Sequence, residues 1–319
     1  MTPPRHPLQK LRFAFLALLA AISGLQAQTV SVTTGSVGYS KATVHAGGGV
    51  VAPVFVKQAV YTSVATVSGQ TFTASNLTAN SYGPTTYNDR PNAPRYYVEI
   101  TSGSYSGYAY DVQANASNSI TVYGLPGALN GQTNVSIALR PHTTLGDLAA
   151  ASSGLSDYSD FLTLYQSNNA KSSYVYTSSG VVGDDYYTPC DQVVIYPGTG
   201  VLLNNSYNAS FTFGGAVKTN PTVVPVYAGE TLLAPLDPQG GKRITALNLT
   251  GLLDAYSDAV ALYSTSGDLG ITAFYSDGSN LLDESYASVD PSSAPVVAVG
   301  NGFIINTGSD RTWTNLTSF

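Results

Sequence analysis

The alternation of apolar and polar positions along this chain is that of short β-strands. In Tyr96-Tyr97-Val98-Glu99-Ile100, Tyr97 and Glu99 interleave with Tyr96, Val98 and Ile100, which makes one apolar and one mixed face. Residues 59–67 form another such run, Ser68-Gly69-Gln70 reads as a turn, and residues 71–74 as the return strand. Residues 107–112 and 119–123 pair as a hairpin across Asn115-Ala116-Ser117-Asn118, and a polar loop rich in Asn, Pro and Gly occupies residues 78–94. Long amphipathic helices need Leu, Glu, Lys and Ala at 3.6-residue spacing, and no stretch has that pattern. One short helix is predicted at residues 145–151, with Thr144 as N-cap and Asp147 three positions on, a capping box.

In the C-terminal half the pattern occurs twice. Tyr158-Ser159-Asp160 precedes Leu164-Tyr165, and 98 residues later Tyr256-Ser257-Asp258 precedes Leu262-Tyr263. Tyr176-Thr177-Ser178-Ser179-Gly180 aligns with Tyr275-Ser276-Asp277-Gly278, and Gly198-Thr199-Gly200 with Gly300-Asn301-Gly302. Each copy is expected to open with an apolar strand that ends at a proline: residues 135–139 before Pro141, and 231–236 before Pro238. The expected organisation is a leader at 1–27, an N-terminal small β-barrel or sandwich at 28–133, and two tandem β modules at 134–227 and 228–319. Residues 215–229 would link the modules. The fold class is all-β with short helices.

The glycine pairs invite a phosphate-cradle reading, which requires a helix N-terminus after the glycines. Here Gly198 and Gly200, like Gly300 and Gly302, precede Val201-Leu202-Leu203 and Phe303-Ile304-Ile305, so they are read as structural turns entering buried strands.

Arg5, Lys10 and Arg12 followed by an apolar run at residues 13–22 and a small-residue segment ending in Ala27 read as a signal peptide cleaved before Gln28. Cleavage leaves ten of the 13 basic residues against all 19 acidic ones, a net charge of −9 instead of −6. Such a chain suits neither nucleic acid nor an anionic membrane surface. Cys190 is the only cysteine, so no intrachain disulfide forms, and it is read as a semi-buried small residue rather than a nucleophile.

Histidine-based chemistry has little material. His6 leaves with the leader, which leaves His45 and His142, and Gly103-Ser104-Tyr105-Ser106-Gly107 has tyrosine where a nucleophile elbow needs serine. A glycoside hydrolase would use paired carboxylates. Asp184-Asp185 align with Asp283-Glu284, and Asp160 with Asp258, but one active site does not need its pair twice. These carboxylates are read as turn-capping groups, with weak Ca²⁺ binding at Asp277, Asn280, Asp283 and Glu284 as the alternative. Tyr174, Tyr176, Tyr186 and Tyr187 would form an exposed platform able to stack on sugar rings.

Tyr96-Tyr97-Val98-Glu99-Ile100-Thr101-Ser102-Gly103, Arg140-Pro141-His142-Thr143-Thr144-Leu145-Gly146-Asp147-Leu148, Pro197-Gly198-Thr199-Gly200-Val201 and Gly300-Asn301-Gly302-Phe303-Ile304-Ile305 together resemble a family of uncharacterised secreted β-rich proteins of Gram-negative-type bacteria. The resemblance implies export and a β fold, and brings no established activity, cofactor or catalytic residue. The expected function is therefore a non-catalytic structural or adhesive role at the cell envelope or outside the cell. The expected partners are envelope polysaccharide or other surface proteins, with no cofactor. A carbohydrate-binding module is the alternative. An outer-membrane β-barrel is third, suggested by the Tyr-rich composition and the terminal Phe319.

Overall fold

Six antiparallel strands close into a barrel in the order Val135–Pro141, Tyr61–Ser68, Thr71–Thr73, Ser119–Val122, Ala109–Asn115 and Tyr96–Ile100. The computed structural model describes residues 36–87, 90–166, 170–263 and 271–316, so the expected leader and Phe319 lie outside the described residues. The chain is all-β, with one α-helix among the described residues. Alternation places Val67, Phe72, Val98, Ile100, Ile120, Ile137 and Leu139 in the barrel core. An outer-membrane barrel instead has an outward apolar band and a polar interior.

Residues 135–139 do not open the first module. Val135–Pro141 pairs with Tyr61–Ser68 on one side and Tyr96–Ile100 on the other, and it closes the barrel. Its apolar positions Val135, Ile137 and Leu139 fill the barrel core, so burial decides its place.

Two five-stranded antiparallel sheets follow the same plan. The first runs Gly180–Gly183, Lys171–Thr177, Phe161–Tyr165, Val201–Asn204, Gly49–Val51. The second runs Leu281–Leu282, Ile271–Ser276, Ala259–Tyr263, Phe303–Thr307, Gly229–Leu233. The registers also correspond: Phe161 faces Val175 and Asn204, as Ala259 faces Tyr275 and Asn306. Tyr176 is thus matched by Ser276, one residue away from the Tyr275 that the sequence alignment chose. Each sheet has its own core, around Leu162, Val201 and Leu203 in one and Val260, Phe303 and Ile305 in the other.

The first strand of the first sheet, Gly49–Val51, lies before the barrel in sequence. The barrel is therefore inserted into the first module and does not precede it. Val51-Ala52-Pro53-Val54 occupies the place of Leu233-Ala234-Pro235-Leu236. After these segments the second module reaches Lys242–Arg243 through a short turn, whereas the first builds the whole barrel before Thr143–Thr144. The expected linker at 215–229 is also structured: Thr222–Val226 pairs with Arg311–Asn315 and buries Val224, Val226 and Trp313. Val37–Val44 and Ala209–Ala216 make the corresponding ribbon of the first module.

The modules are joined by exchanged backbone hydrogen bonds. Ala52 N–H donates to Gly300 O (2.9 Å) and Gly302 N–H to Val50 O (3.0 Å). The reciprocal pair is Ala234 N–H to Gly198 O (2.9 Å) and Gly200 N–H to Leu232 O (3.2 Å). Gly198 (φ 82°) and Gly300 (φ 74°) sit in turns, as expected, Gly200 and Gly302 follow those turns, and all four form this seam. A Cβ on Gly302 would lie 2.4 Å from Leu233 O, so no larger residue fits without displacing backbone.

The helix Leu145–Ala150 starts as the sequence predicts, with Thr144 and Asp147 forming a reciprocal capping box. Leu145 and Leu148 anchor it in the first module's core.

Candidate functional site: tyrosine pairs on the two modules

Nine described non-glycine residues have positive φ: five are asparagines, and the other four are Tyr158, Tyr186, Tyr256 and Tyr286. Asparagine visits the left-handed region readily. For a tyrosine it costs roughly 1–2 kcal/mol, because Cβ crowds the neighbouring carbonyl oxygen. The four tyrosines occupy matching places. Tyr158 (φ 54°) and Tyr256 (φ 58°) lie in the turns before Phe161–Tyr165 and Ala259–Tyr263. Tyr186 (φ 65°) and Tyr286 (φ 61°) lie in the turns after Gly180–Gly183 and Leu281–Leu282.

Backbone hydrogen bonds hold each one in this conformation. Tyr158 N–H donates to Tyr176 O (2.9 Å) and Tyr256 N–H to Ser276 O (2.8 Å). Tyr186 N–H donates to Gly183 O (3.0 Å) and Tyr286 N–H to Asp283 O (2.9 Å). The two turns bring the rings together. Tyr158 and Tyr186 stand 6.5 Å apart between centroids at 27°, and Tyr256 and Tyr286 6.4 Å apart at 42°. Tyr275 adds a third ring to the second pair, 5.3 Å from Tyr286. The paired rings stay on the surface: the four residues are 44–62% exposed.

The aspartates two residues after Tyr158 and Tyr256 brace this arrangement. Asp160 and Asp258 are buried. Asp160 accepts from Ser156 N–H (2.8 Å) and Ser206 N–H (2.9 Å). Asp258 accepts from Asp254 N–H (2.9 Å) and Gly308 N–H (3.0 Å). Each carboxylate ties the tyrosine turn to the turn beyond Val201–Asn204 or Phe303–Thr307. The Tyr-Ser-Asp signature therefore joins an exposed ring to a buried clamp.

The other repeated carboxylates serve their own turns. Asp185 accepts from Tyr187 N–H, Thr188 N–H and the Thr188 hydroxyl, and these bonds, the hydroxyl's foremost, lower its pKa to about 2. Asp277 accepts from Ser279 N–H and Asn280 N–H, and Asn280 also donates its side-chain amide to it. Asp283 accepts from Ser285 N–H, the Ser285 hydroxyl and Ala287 N–H. Both Asp277 and Asp283 are held below the ordinary carboxylate range, the first by the Asn280 N–H above all, the second by the Ser285 hydroxyl. Glu284 accepts from Ala273 N–H (3.1 Å). Asp277 and Asn280 thus belong to one turn and Asp283 and Glu284 to the next, and the four do not form one oxygen cage. Among the described residues no three His, Cys, Asp or Glu side chains converge as metal ligands. The strand registers make Asp184 the counterpart of Glu284, and not of Asp283.

The predicted tyrosine platform is corrected in part. Tyr174 is buried in the first module's core and Tyr176 packs partly against it, because they lie on a central strand. Tyr186 and Tyr187 are exposed as expected. Tyr158, Tyr256 and Tyr286 were missed as ring partners. The repeated Tyr-Ser-Asp carried the signal, but tyrosine does not advertise positive φ.

A second polar cluster lies where the barrel meets the first module. Glu99 on Tyr96–Ile100 is buried between Lys218, which donates to it, and Arg140, 2.7 Å away. His142 Nε2 lies 2.8 Å from Asp111 Oδ1, and the Tyr196 hydroxyl donates to Asp111 Oδ2 (2.6 Å). Desolvation around its hydroxyl, with Asp111 adding to it, raises the Tyr196 phenol far above its ordinary pKa. Cys190 is fully buried in the first module's core, and its thiol lies 3.3 Å from Thr188 O.

Comparisons with protein-family models, with curated proteins and with solved structures find no match for this chain.

Proposed function

We propose that this is an exported, non-catalytic contact protein of the cell envelope or extracellular space, made of two copies of one β module with a barrel inserted in the first. The observation that carries the reading is the division of labour among the repeated residues. The carboxylates best suited to acid–base work, Asp160 and Asp258, accept backbone N–H groups inside the fold, while tyrosine rings remain at the surface at matching positions. A catalytic carboxylate needs an open coordination to substrate; an adhesive surface needs exposed amphipathic rings.

The test is location and processing. Expressed in a Gram-negative host, the protein is expected in the periplasm, the medium or the surface wash, with Gln28 as its first residue. An intact leader on protein confined to the cytoplasm would overturn the proposal. Recovery only in the detergent-soluble outer-membrane fraction, with heat-modifiable gel mobility, would favour the membrane barrel instead.

A further inference from the structure

We propose that Tyr158/Tyr186 and Tyr256/Tyr286 are two stacking sites for a single neutral polysaccharide, a reading that rests on the contact role proposed above. The first argument is the choice of residue. Elsewhere the described chain meets positive φ with asparagine or glycine, and at these four positions it uses tyrosine. The rings do not fill a core there, since all four are exposed. What tyrosine adds over asparagine is a flat face, rigidly aimed.

The second argument is the chemistry of the rim. Ser159, Asp157 and Asp184 flank the first pair in sequence, and Ser257, Ser285 and Glu284 flank the second. Serine hydroxyls donate to and accept from sugar hydroxyls and carboxylates accept from them, while the C–H face of a pyranose covers an aromatic ring. The rim is acidic, and Arg311 is already bonded (2.5 Å) to Asp254, two residues before Tyr256. With a charge of −9 on the chain left after the proposed leader cleavage, this surface repels uronate, sulfate or phosphate polymers and accepts neutral ones.

The third argument is the duplication of the site. Two like sites on one chain suit a ligand that repeats its own unit, because one polymer offers the same sugar face to both. A monomeric ligand gains nothing from the arrangement.

The experiment is affinity electrophoresis of the full chain through gels containing neutral β-glucan, galactomannan or arabinoxylan, with alginate as the anionic control. The proposal expects retardation in at least one neutral gel and none in alginate. Tyr158→Asn/Tyr186→Asn and Tyr256→Asn/Tyr286→Asn should each weaken binding about tenfold or more, and the fourfold variant should abolish it. Asparagine accepts the backbone conformation, so melting temperatures should hold or rise. Ultraviolet difference spectra of the unaltered protein give a readout that needs no variant: neutral oligosaccharide should perturb the tyrosine band, and alginate oligosaccharide should not. No retardation in any neutral gel, binding only to alginate, or undiminished binding by a folded fourfold variant overturns the proposal. So does tyrosine-dependent self-association without glycan binding. None of these outcomes touches the exported location, which fractionation tests separately.

Discussion

Glu99 shows what a single buried charge costs and contributes. Burial alone would raise its pKa, but Lys218 and Arg140 beside it hold the carboxyl below its ordinary value. Glu99→Gln leaves two cations facing a neutral amide, and urea unfolding should show a loss of about 3–5 kcal/mol. The pH dependence follows from the lowered pKa. The contribution is complete above the unfolded glutamate value of about 4.3 and fades as pH falls through the lower folded value, so the variant should be less acid-sensitive than the parent. Asp185 behaves likewise on the surface. Its turn should keep its hydrogen bonds down to about pH 2, and amide shifts of Tyr187 and Thr188 should report the transition there. A transition near pH 4 would contradict the bonds described. Cys190, buried in the core, should react with a thiol reagent only on unfolding.

At the scale of elements, local signals were legible and long-range pairing was not. The barrel hairpins and the capped helix announce themselves within a dozen residues, through alternation, turn residues and the Thr144–Asp147 box. The strand Gly49–Val51 is three residues long, and its assignment depends on partners at Val201–Asn204. Its one sequence clue was the likeness of Val51-Ala52-Pro53-Val54 to Leu233-Ala234-Pro235-Leu236. Residues 135–139 satisfied the expected strand-before-proline rule equally well, and only the sheet pairing separates the two candidates. The tyrosine turns were half legible: Tyr-Ser-Asp stood out as a repeat, but nothing in the letters shows that Tyr158 turns toward Tyr186. The seam gives the sharpest test at this scale. Gly302→Ala should cost about 1–3 kcal/mol by equilibrium unfolding, because its methyl meets the Leu233 carbonyl. Gly127→Ala, with nothing within 4 Å of the added carbon, is the control and should be nearly neutral.

For the whole molecule, the inserted barrel is a domain with its own core and two adjacent ends. Replacing residues 57–141 with a short Gly-Ser turn, together with Lys218→Met to remove the charge that Glu99 neutralises, should leave a chain that unfolds cooperatively and keeps a β circular-dichroism signature. Aggregated or non-cooperative material would mean that the modules depend on the inserted barrel for their stability.

The exchanged seam has a further consequence, for the order in which the chain can organise itself. Asn301 donates its side-chain amide to Val50 O across 251 residues of sequence. The segment before the barrel finds its strand partners at Val201–Asn204 and Ala209–Ala216, but its seam bonds wait for residues near the far end of the chain. The barrel can close once residue 141 is available and the first sheet once residue 204 is, but the second sheet and the seam wait for Phe303–Thr307. Contacts this distant slow folding, since loop closure comes before any gain from pairing. In a cytoplasmic protein that delay is an aggregation risk. The export proposed above would suit such a chain, because the seam cannot lock before the last strands are present.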